Sequence, residues 1–218
     1  EHLLFPVLHS LPENIKSINI TMGYPLKETT LYGLLIDYIE IHQNFTLNHQ
    51  KKSFYYKDVI KILKHPEIWE ISKNSAQQII TDIQENNRVY IKSQYFTDFN
   101  SELFNLIFFP VTNSEQPVKL LLTNILNILF LIFSKSEKKS VKKIENEYIY
   151  QVYVEIKKLR DIIETNSHRV DFSYNISVKL LKQILSAIRI PFTGEHSDGL
   201  QIMGLMETRN LDFENVII

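Results

Sequence analysis

The sequence predicts a mainly α-helical protein with a small α/β portion formed by its two ends. Through the middle of the chain apolar residues recur three and four positions apart, the spacing that puts them on one helix face. The last nineteen residues read differently, with an apolar run from Leu200, a polar loop, and a second apolar, β-branched run at Val216, Ile217 and Ile218. Such a strand needs neighbours on both faces. The chain also opens Glu1-His2-Leu3-Leu4 without an initiator Met, so it is read as part of a larger protein.

The helices follow in order. Leu31, Leu34, Leu35 and Tyr38 share a face over residues 31–41, and Tyr56, Val59, Ile60 and Leu63 share another. His65-Pro66 ends that second helix, because proline disfavours helical geometry in the residue before it. Ala76, Ile79, Ile80 and Ile83 form a third stripe, for which Ser75 is the expected N-cap. The most apolar run, Val118 to Phe133, contains Lys119, Thr123, Asn124 and Asn127 and falls short of the roughly 20 apolar residues of a spanning helix; a buried helix and no membrane partner are expected. The longest helix is expected over residues 140–165, with Ile149, Val152, Ile156, Leu159 and Ile163 as a seam that packs on another helix. Val178, Leu181, Leu185 and Ile188 repeat the spacing, and Thr193 to Gly199 reads as a solvated turn before the strand at Leu200. There is no internal repeat.

Composition excludes several classes. The net charge is −1, so no global field draws DNA to the chain. Cysteine is absent, which removes disulfide scaffolds, cysteine zinc sites and thiol catalysis, and fits a cytoplasmic location. Abundant Ile, Asn and Lys reflect base composition more readily than mechanism, and the Asn-x-Ser/Thr matches at Asn19, Asn44 and Asn175 carry no weight in so Asn-rich a chain. No signal peptide is visible at the front. The five glycines lack the close spacing of a phosphate-cradling loop. No histidines form the i, i+4 pair that sets two imidazoles over one metal.

Gln201, Ile202, Met203, Leu205, Arg209, Leu211, Asp212 and Phe213, followed by the apolar run at 216–218, resemble motif V of the UvrD-like superfamily I helicases, roughly Q-L-M-T-x-H-x-x-K-G-L-E-F and then a strand. Gly204, Met206 and Asn210 stand where that family has Thr, His and Gly, positions that serve its motor. The departure makes the chain look most like the helicase-dead, nuclease-bearing subunit of bacterial AddAB-type helicase-nucleases. Leu4 to Pro12, Ile18 to Leu26 and the helix near Leu31 to Ile41 resemble the segment after motif IV. The resemblance implies that residues 1–45 and 186–218 come together as a partial 2A-like α/β domain, with residues 46–185 as a helical 2B-like insert. It further implies a DNA-guiding role in double-strand break repair, a motor subunit of AddA type as partner, and a PD-(D/E)XK nuclease domain with a divalent metal such as Mg beyond Ile218. No cofactor is expected within this chain.

Candidate contacts to DNA are Gln201, Glu207, Thr208 and Arg209 in the motif V-like segment, and Lys138, Lys139, Lys142 and Lys143 in a basic run continued by Lys157, Lys158 and Arg160. Arg209 either donates to phosphate or closes its loop by pairing with Asp212. The lysines either neutralise phosphates or form a solvated face, as the interleaved Glu137, Glu145 and Glu147 suggest. Tyr148, Tyr150 and Tyr153 either stack on bases or pack half-buried on the helix. Glu155-Ile156-Lys157 matches a nuclease triplet in letters only, since that chemistry needs a strand and this segment is helical. The rival reading is a protein interaction module on a relic helicase scaffold, without DNA contact.

Overall fold

The computed structural model describes residues 10, 18–20, 24–47, 53–99, 101–136, 143–166, 173–190, 200–203 and 215–216. The protein is mainly α, with eight helices among the described residues and short strands. Two compact units are present: residues 1–24 with 189–218, and residues 25–188.

In the first unit β1 (Ile18–Ile20) lies parallel to β6 (Leu200–Ile202), with Ile18 opposite Leu200, Asn19 opposite Gln201 and Ile20 opposite Ile202. A parallel pair requires a crossover, and the crossover here is the whole second unit. The two-residue strands β2 (Tyr24–Pro25) and β5 (Arg189–Ile190) lie where the chain leaves and rejoins the first unit. The ends of the second unit meet, since the Leu26 N–H donates to the Ile188 carbonyl at 3.0 Å.

The second unit begins with α1 (Thr30–Leu47). Leu31, Leu34, Leu35 and Tyr38 are all buried on it. Its inner face packs on α2 (Tyr56–Leu63), on β3 (Ser53–Tyr55) and on α3 (Pro66–Glu85). The helix therefore belongs to the central unit, although the sequence grouped residues up to 45 with the chain ends. Its polar edge agrees: Lys61 of α2 reaches Asp37 at 2.6 Å, and the Asn44 amide donates to Asp58 at 2.8 Å. The Asp37 carboxylate, through a hydrogen bond first, holds the Lys61 ammonium pKa above its ordinary value.

Between α2 and α3 the chain turns at His65-Pro66, with His65 as N-cap and Pro66 in the first helical turn, where its missing N–H costs nothing. Ser75 is consequently inside α3 rather than at its start. What the sequence masked is a kink: Ser72 leaves helical geometry (φ −136°, ψ 33°) and its hydroxyl donates to the Ile68 carbonyl at 2.9 Å, a bond that bends helices. The His65 ring bonds the Thr30 carbonyl at 3.0 Å, tying this corner to the first turn of α1.

After α3 come β4 (Tyr90–Lys92), antiparallel to β3, then α4 (Gln94–Thr97) and α5 (Glu102–Phe108). Ser101 caps α5 by accepting from the Phe104 N–H. The apolar run becomes α6 (Pro117–Ser136). By length and composition this helix could cross a membrane, so the expectation that it is too short is corrected. Within the protein it is a core helix: Leu121, Leu122, Ile125, Leu126, Ile128, Leu129 and Ile132 are buried, and α7 (Lys143–Asn166) packs along it. The α7 seam of Ile149, Val152, Ile156 and Leu159 is buried and Ile163 half-buried. The last helix, α8 (Tyr174–Ala187), buries Val178, Leu181 and Leu185 and is capped by Ser173.

Candidate functional site

The residues expected to touch DNA are not gathered into one described site. Gln201 lies in β6, half-exposed, opposite Asn19. Glu207, Thr208, Arg209, Lys138, Lys139 and Lys142 fall outside the described residues, and Lys143 is placed only by its backbone, at the start of α7. Farther along α7, Lys158 and Arg160 are matched by carboxylates. Lys158 bonds Glu155 at 2.6 Å, Arg160 bonds Asp161 at 3.1 Å, and Lys119 of α6 bonds Glu164 at 2.6 Å. This helix body therefore presents alternating charge rather than a basic stripe. Glu155, Ile156 and Lys157 sit within it with Ile156 buried, which is not the strand a nuclease triplet requires. Tyr148 and Tyr153 are half-buried, while Tyr150 is 58% exposed.

A different place carries more organised polar chemistry, and no sequence motif marks it. The C-terminal end of α3 closes in a Schellman turn: the Arg88 N–H donates to the Ile83 carbonyl at 3.0 Å and the Asn87 N–H to the Gln84 carbonyl at 3.4 Å. Asn87 adopts the left-handed conformation this motif needs (φ 48°). Asparagine tolerates that region better than other non-glycine residues.

Asp82 organises the turn from the helix behind it. Its carboxylate accepts from the Asn86 amide at 2.7 Å and the Tyr95 hydroxyl at 2.7 Å, and pairs with the Arg88 guanidinium at 2.9 Å. The Tyr95 hydrogen bond, followed by the charge of Arg88, holds the Asp82 carboxyl below its ordinary range. Burial, then Asp82, pushes the Tyr95 phenol up. Arg88 also lies over the Tyr95 ring, 5.2 Å from its centroid.

Beside this turn is an open cleft of about 350 Å³, walled by Tyr56 and Ile60 from α2, Ile83 and Gln84 from α3, and residues 87–89 of the turn. Tyr55 stands against Tyr56 at 4.9 Å and against Tyr90 at 5.8 Å, so aromatic packing supports one wall. Among the described residues no three His, Asp or Glu side chains come together as a metal site.

No protein family, curated protein or solved structure matches the chain.

Because Asn87 serves the backbone as well as the cleft, its substitutions separate the two roles. Asn87→Gly is expected to leave stability within a few tenths of a kcal/mol, since glycine fits the left-handed region freely. Asn87→Val forces a β-branched residue into it and is expected to cost about 1–2 kcal/mol. Paired urea titrations check this, and equal midpoints for the two variants would contradict the turn geometry.

Proposed function

We propose that this chain is a DNA-guiding segment of a helicase-like, nuclease-bearing subunit, with its two ends forming part of an α/β domain and its helices inserted into that domain. The observation that carries the proposal is the parallel pairing of β1 with β6 across the entire helical unit. A sheet built from both chain ends around a helical insertion is the organisation that the motif IV-like and motif V-like segments imply. The motif V-like loop would then issue from the end of β6, next to Gln201. In this reading Arg209 and the lysines at 138–143 contact phosphate, DNA is the ligand, and a motor subunit is the partner. The nuclease chemistry and its divalent metal belong to a domain following Ile218.

Binding of single-stranded and duplex DNA across a salt series tests the proposal. Phosphate neutralisation by several lysines gives a steep loss of affinity with salt, with a slope that becomes shallower by about one per cation removed. Arg209→Ala and the fourfold Lys138/Lys139/Lys142/Lys143→Ala variant are expected to weaken binding and flatten the slope. Absence of binding at low salt would overturn the proposal.

A second reading, an interaction module, draws on a specific observation: Phe130 of α6, Ile162 of α7 and Ile176 of α8 are 63%, 57% and 62% exposed, while the described cations of α7 are largely matched by carboxylates. Binding of a protein partner through apolar contacts would persist at high salt.

A further inference from the structure

We infer that the cleft beside the α3 turn binds an uncharged planar heterocycle of the purine type, supplied as an unstacked base of a nucleic-acid strand or as a free nucleoside. The inference deepens the DNA-guiding reading and rests on it for the choice of ring. Its physical case begins with charge. Among the described residues no carboxylate lines the cleft, and Arg88, the cation among the lining residues, is neutralised by Asp82 at 2.9 Å. Ile83 and Gln84 belong to the last turn of α3, the end of a helix that carries partial negative charge and repels anions. A phosphate or carboxylate is therefore a poor occupant.

What remains on the walls is a mixture of apolar surface and carboxamide. Tyr56, Ile83 and Val89 supply the apolar part, and aromatic side chains give a sequence-tolerant platform for bases. Gln84 and Asn87 each offer a donor and an acceptor on one side chain, the combination that pairs with the N6 and N7 edge of adenine. The volume of about 350 Å³ suits one small ring system and its sugar, at the low end of small-molecule sites. Preorganisation is also present: the Schellman bonds fix the backbone of Asn87 and Arg88, and Asp82 holds the turn through Asn86, Arg88 and Tyr95.

The test is a titration of the isotope-labelled full chain with adenosine, with inorganic phosphate, and with a short adenine-containing single strand, followed by backbone amide shifts. Adenosine is expected to shift the amides of Tyr56, Gln84 and residues 87–89. Asn87→Gly removes the carboxamide and keeps the left-handed turn, so it is expected to weaken adenosine binding about fivefold, the typical worth of one hydrogen bond, with the Arg88 amide still protected from exchange. Gln84→Leu is expected to act likewise. A strand that displaces adenosine from these amides identifies the base of a strand as the ligand. Adenosine binding without any strand binding retains the cleft's ligand chemistry and removes the DNA-guiding reading. Phosphate shifting these amides as strongly as adenosine, no adenosine shift at all, or adenosine affinity unchanged in both variants would overturn the inference.

Discussion

Replacing Phe54 with alanine is expected to destabilise the helical unit by about 4 kcal/mol, the usual cost of emptying a buried phenylalanine site. Phe54 sits at the middle of β3, 1% exposed, and its ring joins elements distant in sequence. Phe45 of α1 lies at 4.9 Å, Phe96 of α4 at 6.2 Å and Phe108 of α5 at 5.7 Å between centroids. Phe96 and Phe108 stack on each other at 3.8 Å, so the cavity left by the missing ring would be bordered by a rigid pair that cannot easily collapse into it. Against a total stability of about 5–15 kcal/mol for an ordinary domain, this single change removes a large share. Phe109, 55% exposed one residue after α5, supplies the control: Phe109→Ala is expected to fall within about 0.5 kcal/mol of the parent. Trp69, the chain's one tryptophan, lies in α3 of the same unit and reports unfolding in urea. Equal midpoints for the two alanine variants would mean that the aromatic cluster does not hold this unit together.

The sequence announced some of this core and hid the rest, for reasons visible in particular residues. The stripes on α1, α2, α3, α7 and α8 were legible because each runs through two or more turns, long enough for a period of 3.6 to stand out, and α6 was legible as an apolar run. β3 and β4 were not: three residues give alternation no room, with Ile91 buried singly in β4 and Phe54 buried beside Ser53 in β3. The start of α3 was misread at Ser75, since the sequence showed Pro66 as an end and not also as a beginning. The kink at Ser72 had no local signature beyond a serine. The cleft depended on a relation that spacing cannot express, the return of the 87–89 turn against the first helical residue after β3. Arg88-Val89 lies well over twenty positions from Tyr56 in sequence, yet the Tyr56 N–H donates to the Val89 carbonyl at 3.0 Å. By contrast the motif V-like segment was the most readable stretch as letters, while the structure describes only its first residues, through Met203.

Acid sensitivity is the second large effect expected of this fold, and it traces to His42. The sequence offered this histidine as one of seven scattered along the chain; the structure buries it completely. The Tyr38 ring meets it edge-on at 4.7 Å and Phe54 stands at 5.9 Å. Burial drives its pKa down from 6.5 to about 3, only partly offset by a hydrogen bond with the Ile107 backbone. In the unfolded chain the imidazole takes its proton near pH 6.5, whereas the folded protein resists protonation until about pH 3. The unfolded state thus binds more protons throughout that window, and stability falls as pH drops through it. At 1.36 kcal/mol per pH unit, the full window amounts to a loss on the order of 5 kcal/mol, of which about 2 kcal/mol appears by pH 5. His65, whose pKa burial also lowers, acts in the same direction, so the parent's slope alone does not isolate either group. His42→Leu does: between pH 7.5 and pH 5 it is expected to lose about 2 kcal/mol less than the parent in urea titrations followed by Trp69 fluorescence. An identical loss in both proteins would mean that the imidazole reaches water in the native state, and the packing of α1 against β3 would have to be looser than the Tyr38, His42 and Phe54 contacts describe.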